Sequence, residues 1–286
     1  MKGKFPLQRI IRGFKRKERG SRGKYEKMNS NEKKLLTKAK RDLIAFYDRV
    51  SRKYDTAIFM FYTRLLERCE ERVTSRLLEL LHGRGLDAGC GTGRYMKKIC
   101  SNKCSVIGID ISTNMVKKTI QNLTEDQKPF GSVIVGDFEN LPFKERTFDF
   151  VICTLAINHS TSLEKVIDEF SKVLRSGGLL IMSLLNGFII KKACSLAKFP
   201  KDFIPFFTGC FSFIPLYEKC FGFQELQKTD FFKNFSLIHL EGACLTILIL
   251  LLFPIYIFLR ASNLDKKVAQ RLLKYAELHV VVAKRF

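Results

Sequence analysis

The feature that most constrains this chain is a glycine-rich turn directly after a short apolar segment. Residues 85–94 read GLDAGCGTGR, and Gly89, Gly91 and Gly93 occupy alternate positions. Glycine adopts positive φ without strain and lets the backbone approach a ligand closely. The spacing is GxGxG rather than the GxGxxG of dinucleotide-binding turns. We therefore expect the end of a buried strand, a tight turn and the start of a helix, with a ligand lying over the turn.

Two acidic residues indicate the charge of that ligand. Asp87 precedes the turn by two residues, and a carboxylate there repels a pyrophosphate but attracts an ammonium or sulfonium group. A short apolar strand over residues 105–109 ends at Asp110, which can accept hydrogen bonds from both ribose hydroxyls. Taken singly, Asp87 could serve as a turn residue and Asp110 as a helix cap. Because both follow apolar strands, at the edge where open α/β sheets bind ligands, together they predict a cationic nucleoside.

The alternation of apolar segments and polar turns continues to residue 185, which favours a parallel sheet with crossover helices. The further elements that it predicts are a strand over 132–135 ending at Gly136-Asp137-Phe138, a strand over 147–153, a helix over 163–174 closed by Gly177-Gly178, and a strand over 179–184.

The order and spacing of these motifs over residues 84–185 resemble those of class I S-adenosylmethionine-dependent methyltransferases of type 11, the group that includes ubiquinone and menaquinone C-methyltransferases. The resemblance implies an α/β fold with a Rossmann-like, doubly wound, seven-stranded sheet whose last strand is antiparallel. It also implies S-adenosylmethionine as the cofactor, with Ile111 against the adenine ring and Asp137 on its amino group. The cofactor-binding residues that it implies are Tyr54, Asp87, Gly89, Gly91, Gly93, Asp110, Ile111, Asp137 and Phe138.

His159 is the candidate for removing a proton from the methyl acceptor. It follows the fourth predicted strand in the sequence LAINH, where this family places residues that face the acceptor, and an imidazole can accept a proton near neutral pH. It could equally cap the following helix or bond a loop carbonyl. No metal site is predicted, because the four histidines and nine cysteines show no ligand spacing.

The segment before the first strand predicts a basic tail and a helical lid. The first 42 residues carry sixteen Lys and Arg against four Asp and Glu, so residues 1–30 are expected to be disordered. They would serve as a solubilising tail or as an anchor to phospholipid or RNA phosphates. The sequence predicts two amphipathic helices within residues 31–83 that form a lid on the domain that follows, the second over about 57–81 with Glu67 and Glu70 facing water.

Two apolar insertions follow the core. Residues 186–232 form a Phe-rich insertion interrupted by prolines, and residues 233–286 hold the last two strands, predicted over 235–240 and 278–284. Between them, residues 242–259 carry no charge and would form a helix of about 27 Å, against a hydrocarbon thickness of about 30 Å. Because the flanking strands belong to one sheet, we expect this segment to pack internally or to insert into a membrane surface rather than to cross it.

Together these features favour a cytoplasmic methyltransferase, peripheral to an anionic membrane surface, that acts on a hydrophobic small molecule such as a quinone or lipid. The Arg-Asn element of the quinone-methylating relatives is replaced here by Asn158-His159, which leaves the acceptor open. An RNA methyltransferase, of the type that modifies tRNA, is the first alternative, because the net charge is +22. A non-catalytic protein that binds S-adenosylmethionine is the second.

Overall fold

The computed structural model describes residues 30–55, 61–102, 104–186, 222–243 and 278–286. The predictions for the basic tail, for most of the Phe-rich insertion and for most of the apolar segment 242–259 therefore lie outside the described residues. Within the described part of the chain, no helix combines the length and apolar character needed to cross a bilayer.

Seven strands form one mixed sheet in the order β3-β2-β1-β4-β5-β7-β6. Strands β1 to β5 are parallel, whereas β7 pairs antiparallel with both β5 and β6. The prediction of a seven-stranded α/β sheet with an antiparallel last strand is confirmed. The strands are β1 (Arg84–Ala88), β2 (Ser105–Asp110), β3 (Gly131–Val135), β4 (Phe148–Cys153), β5 (Leu174–Leu185), β6 (Phe235–Ala243) and β7 (Leu278–Arg285).

The helices lie before and between the strands. Those of the described residues are α1 (Ser30–Val50), α2 (Phe61–Thr74), α3 (Arg94–Ser101), α4 (Thr113–Asn122), α5 (Leu163–Val173), α6 (Phe223–Leu226) and α7 (Phe231–Asn234), with single 3₁₀ turns at Leu78–Leu80 and Ile157–His159. Two of these helices begin at serine caps, because Ser112 and Ser162 each accept a hydrogen bond from a backbone N–H of the first turn.

The core lies on both faces of the central strands. Strands β1, β2 and β4 are buried along nearly their whole length, as expected of parallel strands covered by helices on each side. Phe170 of α5 packs on one face and Met96 of α3 on the other, and both side chains are fully buried. This packing fixes the carboxyl ends of the central strands, where the site is built.

Two sequence predictions about helix ends need correction. Helix α5 ends at Val173 and β5 begins at once, so Gly177 does not close the helix. Gly177 instead has φ +77° inside an irregular stretch of β5, where the register with β4 shifts. Helix α2 ends at Thr74, well before the predicted residue 81, and the Thr74 hydroxyl donates to the Glu70 carbonyl at 3.0 Å in its last turn.

Candidate active site

A cleft lies over the carboxyl ends of β1, β2 and β4, at the point where the strand order reverses. This is where open α/β sheets bind ligands. The cleft, counted with the open space at its mouth, encloses about 770 Å³. Eight of the residues predicted from sequence line it: Tyr54, Asp87, Gly89, Gly91, Asp110, Ile111, Phe138 and His159.

The glycine turn forms the floor of the cleft. Gly91 has φ +54°, and a Cβ at this position would meet nothing within 4 Å, so this side of the backbone is open for a ligand. Gly93 begins α3 with φ +82°, and a Cβ there would lie 2.7 Å from the Thr119 methyl group. Gly93 is therefore needed for packing beneath the cleft, whereas Gly91 is exposed to whatever binds in it.

Asp110 connects the glycine turn to the following helix. Its Oδ2 accepts a hydrogen bond from the Gly91 N–H, and its Oδ1 accepts one from the Ser112 N–H, both at 2.9 Å. A carboxylate offers about four acceptor positions, so acceptor capacity remains for a ribose hydroxyl. Burial raises the pKa of Asp110 and the nearby Asp48 carboxylate adds to the rise, whereas the backbone N–H groups of Ser112, Gly91 and Ile111 oppose it. The arrangement fits the ribose-binding role expected from the sequence.

Asp87 is buried rather than open at the mouth of the cleft, with only 2% of its surface exposed. Burial raises its pKa to about 7, although Arg94 opposes the rise. Asp110 and Glu70 add to the rise because they are also acidic. A cation bound in the cleft would reverse the effect by stabilising the charged carboxylate. Asp87 therefore fits a ligand that brings its own positive charge.

Arg94 is a cleft residue that the sequence analysis did not single out. Its guanidinium donates to Glu70 Oε2 at 2.6 Å and to the Glu67 carbonyl at 3.2 Å. The prediction that Glu70 faces water is wrong, because Glu70 is fully buried and also accepts from the Tyr95 hydroxyl at 3.3 Å. Helical periodicity predicted that Glu70 faces water because it considers only the helix that carries the residue. The partners that bury Glu70, Arg94 and Tyr95, come from α3.

The loop after β3 meets the lid helix α1. Lys40 of α1 pairs with the carboxylates of both Asp137 and Glu139, and Asp137 Oδ1 also accepts from the Glu139 N–H at 2.9 Å. Phe138, between them, lines the cleft, whereas Asp137 lies beside it. Glu139 in turn accepts from the N–H groups of Thr161 and Ser162 at 2.7 and 2.9 Å, which ties this loop to the start of α5.

The far end of the cleft is aromatic and is formed by the lid and the loop after β4. The Tyr47 hydroxyl lies 2.7 Å from His159 Nε2, and Tyr54 packs against the Tyr47 ring with 6.3 Å between centroids. Leu155 has φ +50°, an unusual conformation for a non-glycine residue. Strained residues of this kind concentrate at functional sites. This end of the cleft therefore suits an acceptor that is partly apolar.

Tyr47 was missed as a site residue because it lies on the amphipathic face of α1. In the sequence it counts as one of several apolar positions that pack, and no motif surrounds it. Gly93, which was predicted among the cofactor-binding residues, packs closely against Thr119 beneath the turn.

Comparison with known proteins identifies the class. Residues 86–182 match the family described as methyltransferase domain. A malonyl-[acyl-carrier protein] O-methyltransferase of Methylovorus sp. is 32% identical over 152 residues, 51% of this chain and 50% of the relative. A demethylmenaquinone methyltransferase of Thermotoga maritima is 29% identical over 180 residues, 61% of this chain and 76% of the relative. The chain thus spans about half the length of the first of these relatives.

A solved structure shows the same fold. The magnesium protoporphyrin IX methyltransferase of Synechocystis PCC 6803, with bound SAH, superposes with a TM-score of 0.55 at 16% identity, covering 85% of this chain and 95% of that one. Residues 86–182 therefore match a methyltransferase domain, and this chain shares the fold of that solved methyltransferase. The open backbone at Gly91, the remaining acceptor capacity of Asp110 and the buried carboxylate of Asp87 fit S-adenosylmethionine, the cofactor predicted from the sequence.

Proposed function

We propose that this protein transfers the methyl group of S-adenosylmethionine to a hydrophobic, membrane-held small molecule, a quinone or a lipid-like compound. The observation that carries the proposal is the composition of the cleft. Its floor is acidic and open at the glycine turn, and its far end is lined by Leu43, Tyr47 and Tyr54 around His159. A charged donor and an apolar acceptor would each meet the matching half of the site.

In this proposal the donor half of the cleft, formed by Asp87, the glycine turn, Asp110, Ile111 and Phe138, binds the cofactor. Asp87 attracts its positive charge, and the open side of the backbone at Gly91 leaves room for its amino-acid part. Asp110 accepts hydrogen bonds from the ribose hydroxyls, and Ile111 and Phe138 lie against the adenine. Asp137 accepts from the adenine amino group while it remains paired with Lys40.

The acceptor half of the cleft, formed by Leu43, Tyr47, Tyr54 and His159, would bind the methyl acceptor. The methyl group of a sulfonium is already activated, so the protein needs mainly to position the acceptor in line with it and to remove a proton where required. Tyr54 and His159 both line the cleft, and in this proposal Tyr54 borders the cofactor and His159 faces the acceptor. The methyl group then passes to the acceptor, and the sulfonium becomes a neutral thioether.

Three observations support a membrane-held acceptor. The net charge is +22, which favours an anionic surface. Residues 242–259 form a charge-free apolar segment of the sequence, and one relative is named for a demethylmenaquinone, a lipid-soluble quinone. We therefore propose a cytoplasmic location, peripheral to the membrane, with a basic tail over 1–30 and a lid over 31–83.

The second candidate function is RNA methylation, favoured by the same positive charge. A chain with this excess of Lys and Arg binds phosphate backbones with an affinity that falls steeply with salt. The apolar segment 242–259 has no evident use in that function. The two candidate functions differ in the molecule that receives the methyl group, a membrane-held small molecule or RNA.

Labelled cofactor distinguishes these functions. The full chain is incubated with S-[methyl-³H]adenosylmethionine, vesicles of phosphatidylglycerol containing bacterial isoprenoid lipids, and total tRNA. We expect label in the extracted lipids, together with flotation on these vesicles that is lost when residues 244–259 are deleted. Label in tRNA alone would overturn the proposal in favour of RNA methylation. Tight cofactor binding with label in neither pool would favour the non-catalytic alternative.

A further inference from the structure

The contact between Tyr47 and His159 joins the lid to the sheet at the acceptor end of the cleft. The Tyr47 hydroxyl and His159 Nε2 are 2.7 Å apart although the residues are separated by 112 positions in the chain. Their rings meet edge to face with 5.4 Å between centroids. Both side chains line the cleft, so the hydrogen bond lies where an acceptor must enter.

Helix α1 is held on both sides of Tyr47. One residue later, the Asp48 carboxylate accepts from the Ser112 hydroxyl at 2.5 Å and from the Asn114 N–H at 3.0 Å. Two turns earlier, Lys40 pairs with carboxylates of the β3 loop. Phe46 packs with Met115 in a small buried cluster. The position of the Tyr47 hydroxyl is thus set by contacts of the lid helix that do not involve His159.

The loop that carries His159 is held independently. The Leu155 N–H donates to the Ser183 hydroxyl at 2.8 Å, and the Asn158 side-chain oxygen accepts from the Leu185 N–H at 3.4 Å. Both partners belong to β5. Because each side of the pair is fixed by its own element, the hydrogen bond is preorganised rather than a chance contact of two mobile side chains.

We propose that Tyr47 and His159 form a proton relay for the methyl acceptor, an inference that rests on the proposed methyl transfer. A phenol both accepts and donates a hydrogen bond. Tyr47 can therefore accept from the acceptor's O–H while it donates to His159 Nε2. An acceptor with a phenolic or enolic hydroxyl fits this arrangement, because its oxygen gains nucleophilicity as the proton leaves.

The relay balances charge and atoms. The acceptor oxygen, or the ring carbon conjugated with it, forms a bond to the methyl carbon. The bond between the methyl carbon and sulfur breaks, and its electron pair stays on sulfur. The acceptor proton passes to the Tyr47 oxygen as the Tyr47 proton passes to His159 Nε2. The positive charge lost by the sulfonium is gained by the imidazole.

The tautomer of His159 tests the relay without any acceptor. In the relay, Nε2 accepts from Tyr47, so ¹⁵N NMR of labelled histidine in the full chain loaded with S-adenosylhomocysteine should show His159 protonated on Nδ1. Tyr47→Phe keeps the ring packing and removes the donor, so the proton should move toward Nε2. The exposed His82 is the internal control and should not change. His159 protonated on Nε2 in the unmodified chain, or an unchanged tautomer in Tyr47→Phe, would overturn the relay.

Kinetics provide the second readout, with a short-chain prenylated hydroquinone as the acceptor probe. Tyr47→Phe and His159→Gln should each lower kcat about 100-fold and leave KM within about threefold. The double variant should be no slower than either single variant, because both residues act on one proton. Multiplicative losses would contradict the relay. Where the hydroquinone is not methylated, the tautomer measurement decides. A chain that fails to bind S-adenosylhomocysteine refutes the proposed function instead.

Discussion

The donor half and the acceptor half of the cleft are built in different ways. The donor half comes from one compact stretch: Asp87, the glycine turn and Asp110 lie within 24 residues and are joined by the hydrogen bond between Gly91 and Asp110. The acceptor half joins α1 to the loop after β4 through Tyr47 and His159, 112 residues apart. A site made of local backbone geometry tolerates little change, whereas one assembled from separate elements can vary with the acceptor.

The largest expected effect tests the rigidity of the donor half. Gly93→Ala should destabilise the fold by roughly 2–4 kcal/mol, because φ is +82° and the new Cβ would lie 2.7 Å from the Thr119 methyl group. Gly91→Ala is the matched control, with open space around its Cβ, and should cost only about 1 kcal/mol. Urea unfolding measures both. Equal losses in the two variants would contradict a difference in packing beneath the turn.

The next effect concerns cofactor affinity. Asp110→Ala should weaken binding of S-adenosylmethionine by about 1–3 kcal/mol, through lost hydrogen bonds to the ribose. Calorimetry measures the dissociation constant. Asp126→Ala, at an exposed loop position, is the control and should bind normally. Unchanged affinity in Asp110→Ala would remove this residue from the donor half.

The third effect is the pH dependence that burial of Asp87 implies. The pKa of Asp87 is raised to about 7 in the free cleft, and a cationic ligand requires the ionised form. Below pH 7 the carboxylate must first lose its proton, so affinity for S-adenosylmethionine should rise about tenfold between pH 6 and pH 8 and then level off. Asp87→Asn should bind more weakly and lose this dependence. A slope that persists in Asp87→Asn would assign it to another group.

The smallest expected effect tests how tightly the lid helix α1 is held to the sheet. Lys40→Met removes the ion pairs between α1 and the β3 loop. Lys40 is partly exposed, which weakens its ion pairs, but Glu139 is buried and would lose its charged partner. We therefore expect a loss of stability of about 1 kcal/mol, at the low end of the cost of an unpaired buried group. Release of S-adenosylhomocysteine should accelerate about two- to fivefold, as measured by stopped-flow displacement. The exposed Lys117→Met is the control. A loss as large as that of Gly93→Ala would mean that the lid belongs to the rigid half.

Much of the donor half could be predicted from sequence because its geometry is local. The alternate glycines require a turn, and Asp110 follows its strand directly, so their proximity needs only the parallel order of β1 and β2. Asp137 was harder to place, because the partner that engages it, Lys40, comes from an element 97 residues earlier. Glu70 was misjudged for the same reason: helical periodicity describes one helix, not the Arg94 that meets it.

The sequence by itself determined the parallel core, the glycine turn after β1 and the acidic residues beside it, since each depends on short-range spacing and burial periodicity. Only the tertiary structure decided how those acids behave. It buries Asp87, which brings the pKa to about 7 and makes its charge depend on pH. It also places the Tyr47 hydroxyl on His159. Desolvation and contacts between distant elements arise from packing in three dimensions, which residue spacing along the chain does not record.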